Sequence, residues 1–160
     1  MIKLQNAVFF LIIFFLIIAT GGFIFQHVRK IKRTKLQQTN KKLTDAALAE
    51  SLRRLGLSKN KISFEISTSR LSDVWGSGIM AYEYEVKMQD KVADDKFKEK
   101  LFVYLQEYAK QNHLISIGDV PVFVISDLWQ EDEILKIDIT YTANEKTINY
   151  LKDVSRVDLK

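Results

Sequence analysis

The stretch AVFFLIIFFLIIATGGFIF, residues 7–25, decides the architecture of this chain of 160 residues. Its nineteen positions are almost all apolar, and at about 1.5 Å per helical residue they would span roughly the 30 Å hydrocarbon core of a bilayer. No charged side chain lies between Lys3 and Arg29. The pattern predicts a transmembrane helix over residues 7–26, after a short N-terminal tail of residues 1–6.

A cleaved secretory signal peptide is the alternative interpretation of this run. Such a peptide usually has an apolar region of about 7–15 residues that ends at a small-x-small cleavage site. Here the apolar region is longer, and the large residues 23–25 follow the small residues Gly21 and Gly22. The length therefore favours a retained anchor. Because the sequence contains no Cys, a lipid-modified cysteine anchor is excluded.

Positive charge follows the apolar run at once. Five residues, which we call the basic collar, carry it: Arg29, Lys30, Lys32, Arg33 and Lys35. Residues 1–42 contain no Asp or Glu, so the remaining chain is net acidic although the whole carries a formal charge of +4. A nucleic-acid-binding domain carries its positive charge on the folded part, so we expect no nucleic-acid partner. The collar, within a stalk of residues 27–43, is predicted to contact anionic lipid headgroups of the bilayer. The other interpretation is a solvated flank that only stops translocation.

The collar also bears on which side of the cell membrane the C-terminal domain lies. Lys and Arg favour the cytoplasmic side, and the basic residues just after the run outnumber the single lysine before it. This count favours a cytoplasmic domain. Long domains, however, cross membranes largely regardless of charge, and a chain without Cys gives no sign of an oxidising compartment. The sequence leaves the side open.

Residues 44–152 are predicted to form one α+β domain, followed by a tail of residues 153–160. Helices are recognised by apolar residues three and four positions apart and strands by strict alternation. The first predicted unit is a helix begun by Thr44 and ended by Gly56, followed by strands at 62–66 and 80–88. The second is a helix over 93–113 capped by Asp94 and Asp95, followed by strands at 120–125 and 135–142 with the acidic turn 131–133 between them. A short helix begun by Asn144 comes last. This αββαββ order predicts a four-stranded antiparallel sheet with two helices on one face, a circular permutation of the ferredoxin-like order.

Three stretches carry a resemblance to a known family: YEYEVKM (82–88), the helix over 93–113, and the strands VPVFVIS (120–126) and ILKIDITYT (134–142). After one span and a stalk, they resemble the bitopic platform proteins of type IV pilus and type II secretion machines. The resemblance implies a dimerising extracytoplasmic domain that passes assembly contacts between membrane and envelope components, without catalysis. The stalk of that family is usually a longer coiled coil, and its positive charge usually precedes the span.

Residue types that could carry catalysis or bind a metal are few and scattered. His27 and His113 have no second His or Cys at ligand spacing. The segment WGSG at residues 75–78 lacks the spacing of a phosphate-binding loop, and residues 131–133 lack the spaced oxygen ligands of a calcium loop. We therefore expect no catalytic residue, no cofactor and no metal, and a membrane-tethered enzyme is only a remote alternative.

The two tryptophans, Trp75 and Trp129, are the candidate partner-binding residues, although either could instead fold back over the sheet edge. Open edges of the sheet could also pair with a second copy and give a homodimer. The predicted function is a single-pass membrane-anchored scaffold or assembly subunit whose α+β domain contacts other membrane proteins. A regulatory or sensory domain with a lipid-binding basic stalk is the alternative.

Overall fold

A computed structural model describes residues 2–57, 78–88 and 91–157, with side chains over 14–57, 78–88 and 91–154. The chain divides into two compact units, residues 1–38 and 39–160. The predicted strand at 62–66 and Trp75 lie outside the described residues.

The N-terminal helix α1 extends without a break from Ile2 to Arg54. The prediction that Thr44 begins a separate helix is wrong, because Thr44 lies inside α1 and its hydroxyl donates to the carbonyl of Asn40 at 2.9 Å. A threonine within a helix commonly satisfies its hydroxyl on the preceding turn in this way. No Pro or Gly occurs between Phe23 and Leu55 to interrupt the hydrogen-bond ladder, so the stalk and the first domain helix form one element.

The remaining described elements belong to the unit of residues 39–160. In chain order they are β1 (Ala81–Lys87), α2 (Asp95–Gln111), β2 (Phe123–Glu131), β3 (Ile134–Tyr141) and α3 (Glu145–Val157). The described strands form one sheet in the order β1-β3-β2, and both neighbouring pairs are antiparallel. It follows that β1 and β2 point the same way and that β3 is the central strand. The predicted α+β class is confirmed.

Side chains alternate along β1 and β3 as predicted. The bounds predicted for β2, residues 120–125, are wrong, because this strand extends from Phe123 to Glu131 and pairs with β3 up to the hairpin turn. On β1, Tyr84 and Val86 are fully buried, and on β3 so are Ile137 and Ile139. A tight turn joins β2 to β3, and Asp132 occupies it with φ of 50°. Aspartate tolerates this left-handed conformation better than most residues because its short side chain can bond locally. The acidic segment 131–133 is therefore a hairpin turn.

The main core lies between one face of the sheet and two helices, the end of α1 and α2. Its fully buried side chains include Leu48 and Leu52 of α1, Leu101 and Leu105 of α2, and Tyr84, Phe123, Leu135 and Ile137 of the strands. Each large aliphatic side chain buried here stabilises the fold by about 1.5–3 kcal/mol. The last turn of α1 is also tied to α2, because Arg54 pairs with Glu107 at 2.6 Å and its guanidinium lies 4.2 Å from the ring centroid of Tyr104.

The helix α2 begins at the predicted acidic pair. Asp94 is its N-cap residue, and its Oδ1 accepts a hydrogen bond from the backbone N–H of Phe97 at 2.7 Å. Asp95 lies in the first turn, where a negative charge complements the helix dipole. This pair fixes where α2 starts after β1.

The helix α3 packs on the opposite face of the sheet, which the element order did not reveal. Asn144 caps it as predicted, with Oδ1 accepting from the N–H of Thr147 at 2.9 Å and Nδ2 donating to the carbonyl of Gly78 at 2.9 Å. The helix continues to Val157, past residue 152 where the domain was predicted to end. Leu151 and Val154 pack against a small cluster of Ile79, Ala81 and Tyr150. This apolar contact extends α3 into the predicted tail.

A buried polar contact joins α1 to the sheet within the second unit. The hydroxyl of Tyr84 donates to Oδ1 of Asp45 at 2.9 Å, and Nζ of Lys41 lies 2.8 Å from Oδ2 of the same carboxylate. Burial, followed by the charge of Asp45, holds the pKa of Tyr84 well above its usual range. The tyrosine is therefore a permanent donor, and it fixes the position of Asp45 over the middle of β1.

We expect this contact to be measurable by a double-mutant cycle on the full chain in detergent micelles. Tyr84→Phe and Asp45→Ala should each lower the free energy of unfolding in urea, and the two effects should fall short of additivity by about 1–2 kcal/mol because the acceptor is charged. Tyr104→Phe combined with Asp45→Ala is the control, and its effects should add within about 0.5 kcal/mol. A coupling near zero between residues 84 and 45 would show that the contact adds nothing to stability.

Candidate functional site

The first candidate surface is the apolar part of α1 within residues 1–38. Its large side chains are between half and three-quarters exposed: Phe14, Phe15, Leu16, Ile17, Ile18, Phe23, Ile24 and Phe25. In the part of the chain that the structure describes, one helix near the N-terminus is long and apolar enough to span a membrane. A helix that is apolar on all sides is unfavourable in water and suits an apolar solvent. This segment therefore needs apolar surroundings.

The basic collar forms the second surface, directly after the apolar segment on the same helix. All five of its side chains are exposed. Successive helical residues are turned by about 100°, so positions 29, 30, 32, 33 and 35 cover about 220° of the circumference of α1 and leave about 140° without a collar residue. The guanidinium of Arg29 lies 4.4 Å from the ring centroid of Phe25, where the apolar and basic segments meet. The collar is thus a broad band of charge that covers more than half of the helix circumference.

The third surface lies on the sheet, on the face opposite α1 and α2, which we call the open face. One end of it is covered by α3. Beyond α3, cross-strand pairing places Glu85, Lys136 and Trp129 side by side. Nζ of Lys136 lies 3.6 Å from Oε1 of Glu85 and 5.7 Å from the ring centroid of Trp129. The indole is 36% exposed, so Trp129 lies on a strand with one side of its ring available, and its role in partner binding stays a prediction.

A row of three carboxylates crosses the open face next to the row formed by Glu85, Lys136 and Trp129. Glu83 and Asp127 lie opposite Asp138 on either side in the pairing register. Oδ1 of Asp138 is buried and accepts no hydrogen bond from any described residue. Burial above all, and then the charges of Glu83 and Asp127, raise the pKa of Asp138 to about 6, while Lys136 opposes the shift. The alternation of residues 135–142 places Asp138 on the side of the strand away from Ile137 and Ile139, but alternation does not reveal which acids face each other across strands.

Two apolar cavities flank the outer side of β2. The first, of about 340 Å³, lies between β2 and α3; the second, of about 410 Å³, lies between β2 and the start of α2. Their apolar lining consists of Val120, Val124, Ile125, Ile148, Leu151 and Val154 in the first and Phe102, Val124 and Ile125 in the second. This concentration of apolar surface makes the β2 side of the domain a second region suited to protein contacts.

The main chain of β2 is partly protected against the pairing of another strand. Nε2 of Gln106 donates to the carbonyl of Phe123 at 2.7 Å, and the N–H of Leu128 donates to Oδ1 of Asp127 at 2.8 Å. A bulge also interrupts the register between Ile125 and Asp127. Side-chain caps and bulges are common means of blunting an edge strand. Contacts at this side of the domain are therefore better made through side chains than through strand addition.

The two histidines lie in separate parts of the described structure, one in each compact unit. The ring of His27 stacks on Phe23 with centroids 6.4 Å apart in the first unit. His113 follows α2 with φ of 52° in the second. Among residues whose side chains are described, no group of three His, Cys, Asp or Glu is placed to hold a metal ion. The surfaces above offer apolar contact, charge pairing and cation–π contact, which are means of binding.

Comparison of this chain with protein-family models, with curated proteins and with solved structures finds no match. The function is therefore argued from three physical features of the chain: the exposed apolar segment of α1, the basic collar, and the open face of the sheet.

Proposed function

We propose that this protein is a single-pass membrane-anchored scaffold or assembly subunit whose α+β domain makes protein–protein contacts without catalysis. The observation that carries the proposal is that α1 contributes both the exposed apolar segment and part of the core of the domain. Its residues 14–25 expose large apolar side chains, whereas residues 47–52 of the same helix include fully buried core positions of the α+β domain. Fusing the anchor and a core element in one helix keeps the domain at the membrane surface, which is the requirement of an assembly subunit.

The proposal includes the permuted ferredoxin-like arrangement and the resemblance to pilus and secretion platform proteins. It is supported by the strand order β1-β3-β2 and by the packing of α1 and α2 on the same face. The helix α3 on the opposite face is additional to the permuted ferredoxin-like arrangement. It covers part of that face and so reduces the area that partners can contact.

The function is tested by photo-crosslinking in the native membrane. A photoreactive phenylalanine derivative replaces Trp129 of β2 and keeps an aromatic ring at this position of the open face, and we expect it to crosslink to another membrane protein or to a second copy of the chain. Trp129→Ala should then reduce recovery of that partner at least fivefold, because a large aromatic side chain in an interface commonly contributes more than about 1 kcal/mol.

The matched control places the same photoreactive residue at Val103, which is 48% exposed on α2. It should give no crosslink to the partner captured from position 129. A full-length chain that purifies in mild detergent as a monomer without partners would contradict the proposal.

The orientation of the domain separates two versions of this function. The chain has no Cys, so a single cysteine added after Lys160 is the only thiol to be labelled. In the platform version the domain is extracytoplasmic, and we expect a membrane-impermeant maleimide to label intact cells. Labelling only after permeabilisation would place the domain in the cytoplasm, as the positive-inside count favours, and would contradict the platform version.

The second candidate is a regulatory or sensory domain that binds anionic lipids, and the five exposed side chains of the basic collar favour it. Each Lys or Arg near an anionic surface contributes about 1 kcal/mol of attraction. We expect fragment 27–160 to co-sediment with phosphatidylserine vesicles, and replacement of the five collar residues by Gln to weaken binding at least tenfold.

The control for this experiment replaces five exposed lysines of the domain: Lys91, Lys96, Lys98, Lys100 and Lys110. This variant has the same loss of charge and should bind the vesicles as the unaltered fragment does. Equal loss of binding in the two variants would show that net charge alone, and not the collar, is responsible.

A further inference from the structure

We infer that the row of carboxylates on the open face makes the packing of α3 on the sheet depend on pH, with α3 held more firmly in mildly acidic than in neutral solution. The row consists of Glu83, Asp138 and Asp127. This property is independent of the function proposed above, because it concerns only contacts within residues 78–157.

The row places one carboxylate between two others. Asp138 is on the central strand β3, opposite Glu83 of β1 and Asp127 of β2. Its Oδ1 is buried and accepts no hydrogen bond from the described residues. The charge of Lys136 on the same strand lowers the pKa of Asp138, but that ammonium group is already shared between Glu85 and the ring of Trp129. An ionised Asp138 is thus poorly compensated.

The helix α3 lies next to this row. The adjacent cross-strand row contains Ala81 and Thr140, and Ala81 packs against Tyr150 of α3. Tyr150 is itself 7% exposed, and burial, with the charge of Asp138, raises its pKa. The charged and titratable groups on the elements around Asp138 include Glu83 and Glu85 of β1, Asp127 of β2, Lys136 of β3, and Lys146, Tyr150, Lys152 and Asp153 of α3.

The direction of the pH dependence follows from the protonation state of Asp138 that packing of α3 favours, which is the protonated, neutral carboxyl. In the folded domain, burial above all raises the pKa of Asp138 from 3.8 to about 6, so the carboxyl binds its proton more tightly there than when it is exposed. Packing of α3 is therefore fully favoured below the ordinary pKa, and this advantage is lost as the pH rises through about 6. Loosening of α3 at neutral pH would uncover Ile79 and Ala81 beneath it.

Hydrogen exchange of the full chain in detergent micelles tests the inference. Protection of residues 145–154, corrected for the intrinsic exchange rate, should be about tenfold higher at pH 5.0 than at pH 7.5 if release of α3 restores the ordinary pKa of Asp138. In Asp138→Asn, which cannot ionise, the protection should be the same at both pH values.

Asp153→Asn is the matched control, since it removes an exposed carboxyl of α3 and should keep the tenfold difference. Equal protection at both pH values in the unaltered chain, or a difference that persists in Asp138→Asn, would overturn the inference. If Asp138→Asn does not fold, a carbon-13 titration of the Asp138 carboxyl in the unaltered chain decides. A midpoint near 6 supports the pH-dependent packing, and one near 4 overturns it.

Discussion

A single helix has to suit two surroundings, and the rest of the structure depends on this constraint. Over residues 14–25 every large side chain of α1 is exposed and apolar, and at about 25 cal/mol per Å² such a surface is costly to leave in water. Over its last turns the same helix contributes Leu48 and Leu52 to the core of the α+β domain. Because the hydrogen-bond ladder is continuous from Ile2 to Arg54, neither half is an independent element.

The two faces of the sheet differ in how far helices of the domain cover them. One face is closed by α1 and α2 over Tyr84 and its fully buried neighbours, and the Asp45 contact adds a directional bond to that apolar packing. Among the described elements, α3 covers one end of the other face, which also carries the carboxylate row and Trp129. The apolar cluster described on this face is small, so charged side chains fit beside it without being buried in a large core. These charged side chains can form ion pairs with other groups.

Much of the domain could be predicted from local pattern because local physics decides it. The alternation around Tyr84 and Ile137, the cap at Asp94, the cap at Asn144 and the acidic hairpin turn all depend on residues close in sequence. Thr44 shows where such reasoning failed. It has the chemistry of an N-cap, but its hydroxyl bonded to the previous turn once the helix continued through it. Propensity at a single position is weaker than an uninterrupted ladder anchored by core contacts.

The sequence by itself determined the long apolar run, the segregation of basic charge beside it, the α+β class and the approximate bounds of β1, α2 and β3, since these depend on spacing along the chain. Only the tertiary structure decided which acids meet at Asp138, which face α3 covers, and that Asp45 lies over Tyr84. Strand register and helix placement are set by contacts between residues far apart in sequence, such as Gly78 with Asn144. Composition and periodicity carry no information about those distances, whereas burial and electrostatics depend on them directly.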